Sequence, residues 1–278
     1  MAGLVQATAV VPSGDGMLAT LDPAWDIWGP AGGYIAAIAL SAVRAHAEAG
    51  HRPVTLTGQF VRVARPGLLA VKVTPVKTGS TALFAVFLSQ EGRPVFQAQV
   101  WTTSRNESSL PLAPTMPDVA PPHALRGQDE LMAERGIEQI AFWQNLEGRP
   151  TNFRLAGDPP ADDPHQRRWM RFRDWTPTDD PFVEAMRHVL LIDIGIWPAH
   201  WHRQPERGGG GYLAPSLDVW AHFHGGPPAG EWLLSDADAD VSGHGTISGQ
   251  VRIWSEDGRP IATGGGHCLV TLPRAKLA

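Results

Sequence analysis

One aspartate in this chain sits where a charge should not be. Phe182, Met186, Val189 or Leu190, Asp193 and Trp197 recur at helical spacing, so the Asp193 carboxylate lies on a face that should be buried. Its neighbours Leu190, Leu191, Ile192, Ile194 and Ile196 are all apolar. Burying an ionised carboxylate without partners costs several kcal/mol. Asp193 therefore needs compensation. Backbone amides of a facing segment would make it a structural residue, and a wet cleft would make it a general base.

Other residues could share that chemistry. Gly32-Gly33 precede a helix-like stretch, and a helix N-terminus offers free N–H groups to which glycine gives a ligand close access. A carbonyl becoming an oxyanion would be stabilised there, although Gly-Gly also serves simple turns. Ser216 opens a strand-like run and could hold a water, or be an ordinary strand-end serine. Gly264-Gly265-Gly266-His267 interrupts the last strand-like run, where glycines mark a bulge or a close backbone approach and His267 could act as a base. Asp218, His222 and His224 share one strand face by period two, but no Cys or Glu completes a metal-ligand spacing, so no metal is expected. Cys268 reads as a buried small hydrophobe. The chain has no Gly-x-Ser-x-Gly elbow, and no glycine run is followed by Lys-Ser or Lys-Thr.

The elements that must position these residues are written twice. A helix-like stretch from Gly33 to Ala49 is followed by strand-like runs at 53–64, 68–77, 81–90 and 94–103. A second helix-like stretch from Pro181 to Trp197 has Asp180 as its N-cap and Pro198 as its stop, with strands near 213–224, 231–240, 246–255 and 260–272. In each half the third and fourth runs meet at a Gly-Arg-Pro turn, Gly92-Arg93-Pro94 and Gly258-Arg259-Pro260. A helix followed by an antiparallel meander, in two copies, predicts an α+β fold with its chemistry in the cleft between the copies. Residues 4–21 read as one or two short strands, 128–135 as a short helix, 167–175 as a half-buried strand, and the glycines at 208–211 as a flexible loop. The expected organisation is 1–104, a linker at 105–138, and 139–278.

Composition narrows the classes. The 278 residues are 43% hydrophobic and 18% charged, as in a globular chain. A net charge of -5 without a basic block argues against nucleic acid. The single cysteine excludes an intramolecular disulfide. No stretch reads as a signal peptide or a membrane span, so a cytoplasmic protein is expected. Eleven tryptophans against two tyrosines suit an aromatic-lined pocket or simply a packed core.

Together these motifs resemble the acyl-CoA thioesterase-like double-hotdog family. The resemblance rests on Trp25-Asp26-Ile27-Trp28-Gly29-Pro30-Ala31-Gly32-Gly33-Tyr34 before an Ala-rich helix, on Arg65-Pro66-Gly67, on Pro215-Ser216-Leu217-Asp218, and on Asp257-Gly258-Arg259-Pro260. It implies two helix-wrapped antiparallel sheets joined into one, and hydrolysis of an acyl thioester by direct attack of water without a cofactor. Members resembling acyl-CoA thioesterase II hold that water with an Asp on the second helix, a Thr or Ser on the next strand and a Gln on the last strand. Asp193 and Ser216 match the first two. The third falls at Gly266, which has no side chain, leaving His267 or a water for that role. Gly33 matches the glycine facing the thioester carbonyl, and Trp28 and Trp197 are expected to line an acyl tunnel. The resemblance also implies pairing into a homodimer or higher homo-oligomer through sheet edges. An acyl-thioester binding protein without turnover, and a hotdog hydratase, are the alternatives; the hydratase ranks last because Asp193 is expected deep within its helix.

Overall fold

The computed structural model describes residues 3–106, 112–155, 158–159, 161–203, 212–226 and 229–271. The glycines at 208–211, part of the linker and the last residue of the run expected at 260–272 lie outside the described residues. The first half runs α1 (Leu4–Ala7), β1 (Val11–Ser13), β2 (Gly16–Leu21), α2 (Gly32–Arg44), β3 (Arg52–Phe60), β4 (Gly67–Lys77), β5 (Thr81–Gln90) and β6 (Arg93–Thr103). The second runs α3 (Gln128–Glu134), β7 (Leu146–Pro150), β8 (Gln166–Phe172), α4 (Pro181–Asp193), α5 (Ile196–Arg203), β9 (Asp218–Phe223), β10 (Leu233–Gly243), β11 (Thr246–Ser255) and β12 (Pro260–Leu269).

All twelve strands form one antiparallel sheet in the order β1-β2-β4-β5-β6-β3-β9-β12-β11-β10-β8-β7. The order is symmetric about the β3–β9 pair: β3 matches β9, β6 matches β12, β5 matches β11, β4 matches β10, β2 matches β8 and β1 matches β7. Each half curls around its own long helix. Helix α2 can be enclosed because so much of it is alanine; Tyr34 and every residue from Ala36 to Leu40 are fully buried. Helix α4 is buried at every residue from Phe182 to Asp193. The two helices touch where a Cβ on Gly33 would stand 2.6 Å from Leu190 Cα, so glycine is required for their approach.

Three expectations give way here. Leu4–Ala7 is a helical turn, not a strand, with Leu4 and Ala7 both facing the core and Thr8 Oγ1 donating to the Leu4 carbonyl at 2.8 Å. Helix α2 ends at Arg44, before the expected Ala49. The second long helix breaks at Ile194-Gly195, not at Pro198. A Cβ on Gly195 would meet Val251 Cγ2 at 2.9 Å, so glycine lets the chain pass close to β11 at the break. Pro198 lies in the first turn of α5, where an N–H has no intrahelical acceptor to lose.

The chain between β6 and β7 is not a passive connection. Met116, Val119 and Leu125 pack over Trp169, Leu234 and Trp254 on the outer face of the second half-sheet, and Trp169 Nε1 donates to the Ala120 carbonyl at 2.9 Å. Among the described residues no helix is long and apolar enough to cross a membrane.

Candidate active site

Asp193 is the last residue of α4 and points at the start of α2. Its Oδ2 accepts the Gly33 N–H at 2.7 Å, and its Oδ1 accepts the Ser216 hydroxyl at 2.8 Å. It is 7% exposed. Burial pushes its pKa up to about 6, against the opposing pull of the Ser216 and Gly33 hydrogen bonds. Asp193 is thus held by a backbone amide of the other copy, as a structural aspartate would be, and it also lines a cavity.

The elements around it explain why α2 receives this carboxylate. The residue before α2 is Ala31, which supplies no side-chain cap. The first-turn N–H groups are then open to a group from elsewhere, and Asp193 reaches Gly33. At the symmetric place the opposite holds. Asp180 caps α4 itself, accepting from Phe182 N at 2.9 Å and Val183 N at 3.4 Å. Arg44, the last residue of α2, pairs with Asp180 at 2.6 Å. The duplication thus has one helix start closed by its own cap and one fed by a partner helix.

The loop before α2 is fixed by Trp25, which is 1% exposed and stacks on Tyr34 at 5.6 Å. Trp25 also accepts the Ala31 N–H on its carbonyl at 3.0 Å, and Tyr34 Oη donates to the Ala7 carbonyl at 2.8 Å. This anchoring presents Trp28 edge-on to Trp197 of α5, ring centroids 5.5 Å apart. Both rings line a cavity of about 470 Å³ that also includes Gly32, Phe60, Asp193, Ser216 and Cys268. Its lining is mostly apolar, and its size is ordinary for a small-molecule site. The smaller cavity beside the Asp180 end, bordered by Pro181, Glu184 and His188, is about 70 Å³.

The structure brings together Asp193, Ser216, Gly32, Gly33, Trp28 and Trp197, and leaves out Gly266 and His267. Ser216 is set by a bridge to Cys268, with the Leu217 N–H on the His267 carbonyl at 2.7 Å and the Leu269 N–H on the Pro215 carbonyl at 2.9 Å. Strand alternation turns Cys268 to the cavity and His267 to the outer face. There the exposed His267 Nδ1 lies 3.1 Å from Asp218 Oδ2. His267 as a base for this site is therefore not supported by its position. Gly266 does not line the cavity, and a Cβ there would meet the Asp218 carbonyl oxygen at 2.3 Å. A Gln at this position would need β9 to move.

Gly33 also differs from expectation, because its N–H is already taken by Asp193. Gly32 is the residue whose side-chain space the carboxylate occupies: a Cβ there would lie 2.8 Å from Asp193 Oδ1. Cys268, expected only as a buried small hydrophobe, lines the site; counting by two from Gly266 would have found it. Burial, and then the nearby Asp193 charge, push its thiol up to about 12, so it is not a thiolate at neutral pH. Asp218 pairs with His267, and His224 Nε2 is 2.9 Å from Thr263 Oγ1. Among the described residues no group of three or more such side chains could hold a metal ion.

A family profile for the acyl-CoA thioesterase C-terminal domain matches residues 117–265, and one for the acyl-CoA thioesterase N-terminal domain matches residues 21–103. The chain belongs to the acyl-CoA thioesterase family. A hot dog fold protein of unknown function from Alicyclobacillus acidocaldarius is similar over 97% of this chain and 98% of its own, with 23% identity and a TM-score of 0.82. An acyl-CoA thioesterase II from Mycobacterium marinum is similar over 98% and 99%, with 19% identity and a TM-score of 0.78. A tesB protein of Mycobacterium avium subspecies paratuberculosis is similar over 96% and 98%, with 20% identity and a TM-score of 0.76. At these identities the likeness shows the fold, which is the double hotdog of acyl-CoA thioesterases. No curated protein matches the chain.

Proposed function

We propose that this acyl-CoA thioesterase family member hydrolyses acyl-CoA or a related acyl thioester by direct attack of water. The observation that carries the reading is the buried Asp193 carboxylate, raised to about 6 and bonded to Ser216, at an apolar cavity large enough for an acyl group. Ser216 gives its hydrogen to Asp193, so its oxygen is left to accept a hydrogen from the attacking water. Asp193 takes that water's other proton as the new C–O bond forms. The carbonyl oxygen becomes an oxyanion, and the Gly32 N–H, first in α2 and beside the cavity, is the donor available to it. The C–S bond then breaks, the thiolate takes the proton back from Asp193, and the products are a carboxylic acid and a free thiol.

No histidine lines the cavity among the described residues, which disfavours a hydratase that pairs Asp with His. Asp193 was expected deep within its helix but ends it, so its depth does not count against a hydratase. The competing reading is a protein that binds acyl thioesters without turnover, favoured by the absent side chain at Gly266. A thiol-release assay over acyl-CoAs from acetyl to palmitoyl separates the two. Release above background supports hydrolysis, and saturable binding with no release supports the binding protein.

A further inference from the structure

Part of the cavity wall comes from neither helix-wrapped sheet. Met132 lines it from α3, Gln139 and Ile140 from the connection that follows, and Trp143 from the turn Ala141–Asn145. This segment is firmly attached. Phe142 is fully buried and meets Trp25 edge-on at 6.1 Å and Trp143 at 5.0 Å. Asn145 Nδ2 donates to the Ala24 carbonyl at 2.8 Å, tying the turn to the loop that carries Trp28. Arg168 of β8, 5% exposed, lies over the Trp143 ring at 5.1 Å and donates to Gln128 Oε1 at 2.7 Å, so one buried cation holds both ends of the segment. Gln139 Nε2 in turn donates to Asp129 Oδ1 at 2.8 Å and to Met132 Sδ at 3.4 Å, pinning the thioether at the cavity.

We propose that this connecting segment gauges acyl length, with Met132 and Ile140 setting the longest chain that the cavity accepts. The inference rests on the reading of the cavity as an acyl site. Met132 and Ile140 present a thioether and a branched alkyl group, which complement an apolar chain. Both side chains are at least partly exposed, so replacing them changes the cavity without emptying the core. Neither touches Asp193 or Ser216 through any hydrogen bond. One consequence is that chain length is set by the connection between the copies, whereas bond cleavage is set by the copies themselves.

The test uses Met132→Ala, Ile140→Ala and Ile140→Trp in the full chain, with two readouts. Thiol release is measured over acyl-CoAs of increasing length. Binding of S-alkyl-CoA thioethers, which cannot be hydrolysed, is followed by tryptophan quenching, since Trp28, Trp143 and Trp197 surround the cavity. The two alanine variants should move the preferred chain to longer acyl groups, and Ile140→Trp should weaken the longest bound chain by about tenfold or more while sparing short ones. An unchanged length profile in all three variants would overturn the proposal, as would a wild type that binds no thioether. If the wild type binds thioethers but releases no thiol, hydrolysis fails as a reading, and the binding profiles still decide the gauge.

Discussion

Asp193 owes its proton affinity to desolvation, and that has two opposite consequences. Its folded-state pKa is raised from 3.8 to about 6. The folded state therefore keeps a proton that the unfolded chain has released. The resulting stabilisation is complete below pH 3.8 and is lost as pH rises through about 6. At pH 8 the ionised carboxylate costs the fold on the order of 3 kcal/mol. Asp193→Asn removes that cost. Its amide oxygen can still accept from Gly33, while its NH₂ donates to a rotated Ser216 hydroxyl. We expect this variant to lose about 10²-fold or more in kcat while melting no lower than wild type at pH 8, measured by thiol release and thermal unfolding. Ser216→Ala should cost roughly 10- to 100-fold, and Ser216→Thr should restore most of it, because one charge-assisted hydrogen bond is at stake. Asp193 was legible in the sequence because a carboxylate in an apolar stripe stands out without any fold. Its partner Gly33 was legible only as a helix start, since the bond between them spans the two copies. Gly266 and His267 were read as one feature because they are adjacent; the pleat separates them and puts Cys268 in the site instead.

The helices carry the asymmetry that makes one site. Helix α2 lacks a side-chain cap and takes Asp193, whereas α4 is capped by Asp180 and closed by Arg44. Asp180→Ala should lower stability by about 1 kcal/mol, mostly from the lost cap because Arg44 is half exposed. It should leave kcat unchanged, and denaturant unfolding beside a turnover assay checks both. Gly33→Ala should be harsher. The new methyl would press on the Leu190 backbone and separate the helices, costing about 2–3 kcal/mol, with activity falling in the fraction that stays folded. Helix periodicity and the Asp180-Pro181 start were plain in the sequence. The break at Gly195 was not, because a glycine inside an apolar run carries no sign of the β11 side chain pressed against it.

At the scale of the molecule, the repeat written in the sequence becomes a sheet whose strand order mirrors itself about β3–β9. Repetition of turns and runs was enough to anticipate an α+β fold in two copies, and the family resemblance implied that their sheets join. Strand β8 was legible as a half-buried run at 167–175, whereas β7, and the use of the connection between the halves as a cavity wall, depend on pairings between distant segments and on which face each residue presents. Hydrolysis as proposed depends on the ionised Asp193 carboxylate. The most direct test is kcat/KM for thiol release from pH 4.5 to 9 for wild type and Asp193→Asn. An ionised Asp193 base predicts a single rise centred near pH 6 in the wild type, from its raised pKa, and no comparable activity at any pH in the variant. A wild-type profile flat through that range, or a variant as active as wild type, would contradict it.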